Sequence, residues 1–278
     1  MFDELGKFGV FRFLSTLSPA QAAAYEQLGF GALWIGGSPA GDLLEVEALL
    51  DATSTITVAT GIVNIWKDDA PTVAASYQRI EATHPGRFLL GIGAGHPEAT
   101  GARYTRPYAA LVEYLDELDT AGVPKQRRLL AALGPKVTRL SADRSLGASV
   151  RPARGRGARR ARDILGAGVL LAPEHKVVVD TDVERARELA RRAVEPASTG
   201  LANYTNNLRT LGYDDADLLG GASDKLVDAL VAFGDMPTIV ARLTAHLDAG
   251  ADHVAINLVT EPDADPIPAY TALAEALC

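Results

Sequence analysis

Short apolar runs and amphipathic stretches alternate along this chain. Phe8-Gly9-Val10-Phe11, Ala32-Leu33-Trp34-Ile35 and Thr57-Val58-Ala59-Thr60 read as strands. So do Arg87 to Ile92, Arg128 to Leu133, Gly147 to Val150, Lys176 to Val179 and Ala251 to Leu258. Helix signals fall between them. Ser18-Pro19-Ala20-Gln21 supplies an N-cap, a proline at the first helical position and a capping-box glutamine. Asp42 with Glu45, and Thr181 with Glu184, repeat the capping pattern. Asp69-Ala70-Pro71, Gly134-Pro135 and Asp235-Met236-Pro237 open further helices, and others are expected over Pro107 to Leu118, Ala158 to Leu165 and Ile267 to Leu277.

The strands are apolar throughout instead of alternating, which means burial on both faces and a parallel sheet. A doubly wound open sheet and a closed barrel both fit that pattern. Eight strand–helix units in a chain of this length favour an α/β fold of the (β/α)8 TIM-barrel type. The expectation is one domain over residues 1–278, with residues 197–231 as a strandless helical insertion before the last unit.

Composition narrows the function classes. Lys and Arg total 27 against 35 Asp and Glu, a net charge of -8, which argues against general nucleic-acid binding. No apolar run reaches the length of a membrane span and no signal-like segment opens the chain, so a cytoplasmic protein is expected. The one cysteine, Cys278, excludes a disulfide framework. The five histidines are scattered with no metal-ligand spacing, and neither a P-loop nor a Gly-x-Ser-x-Gly elbow is present. With no metal site and no activated nucleophile in view, the chemistry falls to an organic cofactor.

In a barrel, function collects in the loops after the strands. Gly91-Ile92-Gly93-Ala94-Gly95-His96 places alternate glycines at a strand end, where a backbone can approach a flat or phosphorylated ligand. The same glycines also let a strand turn out of a crowded barrel. His96 is placed to donate a proton to a ligand, or is a surface loop histidine. Asn64 and Trp66 follow the third strand in Thr60-Gly61-Ile62-Val63-Asn64-Ile65-Trp66, an apolar run that faces a ligand or packs under the insertion. Tyr204-Thr205-Asn206-Asn207 puts a phenol and two amides within about one helical turn, as a substrate contact or a solvated face.

In these residues the chain resembles the luciferase-like monooxygenase superfamily, in particular its actinobacterial branch of oxidoreductases dependent on coenzyme F-420. The clearest match is Gly234-Asp235-Met236-Pro237 followed by Leu247-Asp248-Ala249-Gly250-Ala251-Asp252-His253-Val254. His84-Pro85-Gly86-Arg87-Phe88, Ala59-Thr60-Gly61-Ile62 and Asn203-Tyr204-Thr205-Asn206-Asn207 support it. The resemblance implies a cofactor at the C-terminal mouth of the barrel: F-420, or alternatively FMN with oxygen. It implies a bulge with a cis Gly61–Ile62 bond behind the ring, and cofactor contacts at Gly61, Ile62, Asn64, Ala94, Gly95, Gly147, Ala148 and Ser149. His96 becomes the candidate catalytic group, and Trp66, Tyr204 and Asn207 the candidate substrate pocket. A small-molecule substrate is the expected partner, with no nucleic acid and no membrane; a homodimer stays open.

Two departures stand out. Gly36-Gly37-Ser38 replaces the polar pair that many members carry after the second strand. Where close relatives run His-Pro-Tyr, this chain has Ser149 to Arg162, with six arginines and no acid. Three readings compete: a solvated helix face, a grip on the cofactor's phosphate, or a local change of reading frame, since one codon choice for Ala148 to Pro152 spells His-Pro-Tyr in the neighbouring frame. A degenerate barrel that binds no cofactor and serves a binding or structural role is the remaining alternative.

Overall fold

A computed structural model describes residues 2–151 and 154–277. Its strands are β1 (Phe8–Phe13), β2 (Ala32–Gly36), β3 (Thr57–Thr60), β4 (Val63–Asn64), β5 (Phe88–Gly93), β6 (Arg128–Ala131), β7 (Gly147–Val150), β8 (Leu170–Val179), β9 (Val231–Gly234) and β10 (Val254–Leu258). All ladders between them are parallel. The path β1-β2-β3-β5-β6-β7-β8-β10 returns to β1 and closes an eight-strand α/β barrel. Closure removes the unpaired edges that an open sheet would expose.

The helices are α1 (Pro19–Gln27), α2 (Leu44–Asp51), α3 (Ala70–Thr83), α4 (Pro97–Thr100), α5 (Pro107–Thr120), α6 (Pro135–Arg144), α7 (Arg154–Leu165), α8 (Val183–Gly200), α9 (Ala202–Thr210), α10 (Asp215–Leu218), α11 (Asp224–Leu230), α12 (Met236–Asp248) and α13 (Ile267–Leu277). Their starts follow local chemistry. Ser18 and Gln21 form the expected capping box, and the Asp69 and Asp235 side chains accept from the backbone N–H groups of Thr72 and Thr238. Two expected caps are corrected. Leu43, with a left-handed φ of 53°, precedes α2 without a side-chain cap, so Asp42 and Glu45 form no box. Asp182, not Thr181, caps α8 by accepting from Arg185 N–H.

Two further corrections concern the last third. Strand β8 begins at Leu170, six residues before the expected Lys176, because its first four residues pair with β7. The stretch after α11 forms β9, which pairs with the end of β8 outside the closed ring. The insertion is helical, as expected, but its first residues belong to the end of α8.

Inward-facing residues fill the lower barrel with a dry layer: Trp34, Leu89, Leu129, Leu170, Ala172 and Ala255. Below Trp34, His253 closes the floor. Its Nε2 accepts from Trp34 Nε1–H (2.9 Å), which leaves Nδ1–H to donate to Gly6 O (2.9 Å). The apolar outer faces of the strands pack against the helix ring, the largest core of the molecule. The cavity lies at the opposite end, at the C-terminal ends of the strands.

Candidate active site

One side of the mouth is built from backbone. Between the pairs Ala59↔Leu89 and Val63↔Ile92 the β3–β4 side carries one residue more than β5, which is a bulge. Thr60 bridges the gap: its hydroxyl accepts from Gly91 N–H (2.8 Å) and donates to Gly91 O (3.1 Å). Gly61 and Ile62 are thereby pushed into the mouth. The bulge is the expected one, but the cis Gly61–Ile62 bond is not, since no cis peptide occurs among the described residues. The added residue is absorbed by the bulge and by the Thr60 hydroxyl.

The glycines here are sterically required. A Cβ on Gly36 would meet the Phe11 ring at 2.8 Å, and one on Gly93 would meet Ile62 at 2.9 Å. Gly95 has φ +63° and would press on Asn64 Nδ2 at 2.7 Å. Asn64 is itself fixed, its N–H donating to Ser38 Oγ (3.1 Å) and its Oδ1 accepting from Trp66 N–H (3.0 Å). The result is a face of Gly36, Gly61, Ile62, Ala94 and Gly95 along this side of the cavity.

The other side is ionic. Along β8, Glu174 and Lys176 point inward while His175 points out, as strand alternation requires. Glu174, buried between strands, pairs with Arg151 and with Lys176 Nζ (3.3 Å), and accepts from Asn257 Nδ2 (2.6 Å). Burial alone would raise the Glu174 pKa, but its two cations outweigh it and hold the carboxyl down to about 2. Burial likewise opposes the charge on Arg151, and Glu174 more than restores it. The Arg151 guanidinium carbon lies 6.0 Å from the Phe11 ring centre and 5.4 Å from that of Tyr204, within cation–π range.

A roof joins the two sides. Asn203 Nδ2 in α9 donates to Tyr104 OH (3.1 Å), and Ala202 N–H donates to Glu98 (2.9 Å). The rings of Tyr204 and His96 lie 4.8 Å apart. His96 is half-buried, and its Nδ1 has no hydrogen-bond partner among the described residues. Burial, reinforced by the charge on Arg151, lowers its pKa, so the imidazole is neutral at pH 7.

Together these surfaces enclose a cavity of about 920 Å³. Gly61, Ile62, Asn64, Ala94, Gly95, His96, Ser149, Tyr204 and Asn207 all line it. Three expected site residues do not. Gly147 and Ala148 are buried inside β7, between β6 and β8. Trp66 packs on Tyr104 with ring centres 5.9 Å apart, and its buried Nε1 has no partner among the described residues.

The arginine-rich stretch divides. Arg151 turns into the cavity, and Arg160 lines its rim. Arg162 staples α7 to the segment before β10 through Gly250 O (2.8 Å) and Asp252 (2.6 Å), and Arg159 reaches Asp248 O at 3.4 Å. Pro152 and Ala153 lie outside the described residues.

Sequence reading missed Glu174, Lys176 and Asn257. Glu174 and Lys176 two apart in an apolar run were the available signal, but a strand begun at Lys176 separates them. Among the described residues there is no group of three or more His, Cys, Asp or Glu side chains able to hold a metal, and no helix long and apolar enough to cross a membrane.

The dry lower barrel, the bulge after β3 and the mouth cavity define a closed α/β barrel with its candidate site at the C-terminal ends of the strands, and comparison gives the family. The chain belongs to the luciferase-like monooxygenase family, whose model matches residues 18–253. No curated protein sequence matches it. It shares its fold with an F420-dependent secondary alcohol dehydrogenase in complex with an F420–acetone adduct (TM-score 0.76, 16% identity, 98% of this chain and 99% of that one covered). The coenzyme F420-dependent tetrahydromethanopterin reductase from Methanopyrus kandleri is similar too (TM-score 0.75, 19% identity, 98% of each chain). So is the oxygenating constituent of 3,6-diketocamphane monooxygenase from Pseudomonas putida, in complex with FMN (TM-score 0.70, 15% identity, 97% and 96% covered).

Proposed function

We propose that this chain is an oxidoreductase that binds coenzyme F-420 in the mouth cavity and transfers hydride to or from a small organic substrate. The observation that carries this is the glycine face beside an unpartnered, neutral His96. A volume of about 920 Å³ suits a ring cofactor with a small second ligand. Gly36, Gly61 and Gly95 bring no side chain into the cavity they line, which leaves room for a flat ring against the backbone. Gly61, Ile62, Ala94 and Gly95 would back the ring, with Asn64 at its edge and Ser149 across the cavity. When bound, F-420 supplies the hydride-donating or hydride-accepting carbon.

The protein's own groups handle the proton. A neutral His96 accepts one from a substrate hydroxyl during oxidation and returns it in the reverse direction. Tyr204 keeps the ring in place by stacking, and the α9 roof excludes water. His96→Asn is expected to lower kcat by about 10²–10⁴ while F-420 still binds. Because its pKa is lowered, the acid fall in oxidation rate should have its midpoint below the ordinary imidazole value of about 6.5.

FMN is the second reading, favoured by the FMN-bound relative of the same fold. Titrating the protein with each cofactor and following its absorbance and fluorescence separates the readings. Saturable binding of F-420, tighter than FMN, is expected. Tighter FMN binding would make the protein a monooxygenase, and no spectral change with either would leave a barrel without a cofactor.

A further inference from the structure

The charges facing the cavity run against those of the protein as a whole. The chain carries -8 overall, yet the described residues that line the cavity include three cations, Lys136, Arg151 and Arg160, and one carboxylate, Glu174. That carboxylate is already committed to Arg151 and to Lys176. Among the described residues that line the cavity, cations thus outnumber carboxylates by two.

The cations occupy two places. Lys136 and Arg160 lie on α6 and α7, at the rim. Arg151 follows β7 directly, at the level of Phe11 and Glu174. Its side chain is 34% exposed although its partner Glu174 is 4% exposed. The Glu174 pair and the flanking Phe11 and Tyr204 rings restrict its motion, so little ordering entropy remains to be lost on binding. Arginine's planar fork suits a carboxylate, which it can meet with two parallel hydrogen bonds. Tyr204 touches both Arg151 and His96, so the guanidinium and the imidazole border the same part of the cavity.

We infer that Arg151 is a substrate-anchoring residue, and that the substrate is a small organic acid whose carboxylate sits on its guanidinium with the reacting carbon towards His96. The role of Lys176 is indirect: it shares the Glu174 charge and so leaves Arg151 incompletely neutralised. The inference rests on the oxidoreductase reading for the meaning of "substrate", but the anion site itself is independent of the cofactor.

Benzoate and its neutral counterpart benzamide test it by calorimetric titration of the full-length protein. Benzoate is expected to bind at least about tenfold more tightly. Arg151→Gln should erase that preference, Arg151→Lys should keep part of it, and Arg160→Gln should leave it unchanged. Equal binding of the two probes to the wild type would overturn the assignment. So would a preference that survives Arg151→Gln and vanishes in Arg160→Gln, which places the anion at the rim. Inorganic phosphate and F-420 form the other arms: if saturating F-420 displaces benzoate, or phosphate competes with it equally well, the surplus charge serves the cofactor and the inference fails. A protein that prefers benzoate yet gives no spectral change with F-420 or FMN keeps the anion site and loses the cofactor reading. Thermal unfolding of Arg151→Gln and Arg151→Lys shows whether lost binding is lost folding.

Discussion

The two sides of the cavity are held by different physics. On the β2–β5 side the shape comes from what is missing: Gly36, Gly61 and Gly95 bring no side chain into the cavity they line. On the β7–β8–β10 side it comes from what is added, a carboxylate tied to two cations and an amide. A wall of glycines tolerates a ligand because it has no side chains to move. A wall of buried charge is specific only while every partner is present, since an unpaired charge out of water is costly. The cavity thus combines a passive face, fit for a flat ring, with an active one, fit for a charged or polar group.

The comparison breaks most sharply at Glu174. Glu174→Gln leaves Arg151 and Lys176 facing each other without a counter-charge, and should cost about 3 kcal/mol or more, measured by urea unfolding. The glycine side should answer next. An alanine at Gly91 would drive its Cβ into the Thr60 carbonyl behind the bulge, and Gly91→Ala is expected to cost about 2 kcal/mol in the same assay. If Glu174→Gln proves neutral while Gly91→Ala unfolds the protein, the ionic side is decoration and only the backbone side organises the mouth.

The smallest effect separates the inner face of β8 from its outer face. Behind the charged pair, His175 Nδ1 meets His246 Nε2 at 2.9 Å, buried between β8 and α12. Burial, and then the nearby Arg242, push the His246 pKa down to about 4, and burial pushes His253 down to about 4 as well. Folded-state values below the ordinary 6.5 mean that the unfolded chain binds more protons between pH 6.5 and 4. Stability conferred by these neutral rings is therefore full above pH 6.5 and is lost as the pH falls towards 4. The slope is up to about 1.4 kcal/mol per pH unit for each ring. Glu174 stays ionised throughout this window, so the ionic side of the cavity should keep its charges while the core weakens. His246→Gln should flatten part of the slope in acid unfolding curves.

The same contrast explains what could be read from the chain. The barrel was legible because its strands are apolar on both faces and its helices announce themselves at Ser18-Pro19, Asp69 and Asp235. The glycine side was legible because a glycine at a strand end has a local meaning. The ionic side was not: Glu174 meets Arg151 and Asn257 from three different strands or strand ends, and nothing local signals such a pairing. Strand β9 was hidden for a related reason. Four residues, Val231 to Gly234, are too few to show a period, and only the emerging end of β8 makes them a strand. Trp66 misled in the opposite sense, since an indole in a mouth loop suggests a ligand but packs here on Tyr104. Family resemblance supplied the cofactor expectation; it could not supply the pairing of Arg151 with Glu174, which joins the end of one strand to the inside of the next.

A crystal structure with coenzyme F-420 bound tests the central claim most directly. The account predicts the ring in van der Waals contact with Gly61, Ile62 and Ala94, with His96 beside it and Arg151 left open to the remaining space. A ring stacked on Arg151 and Tyr204, with the glycine face bare, would contradict it.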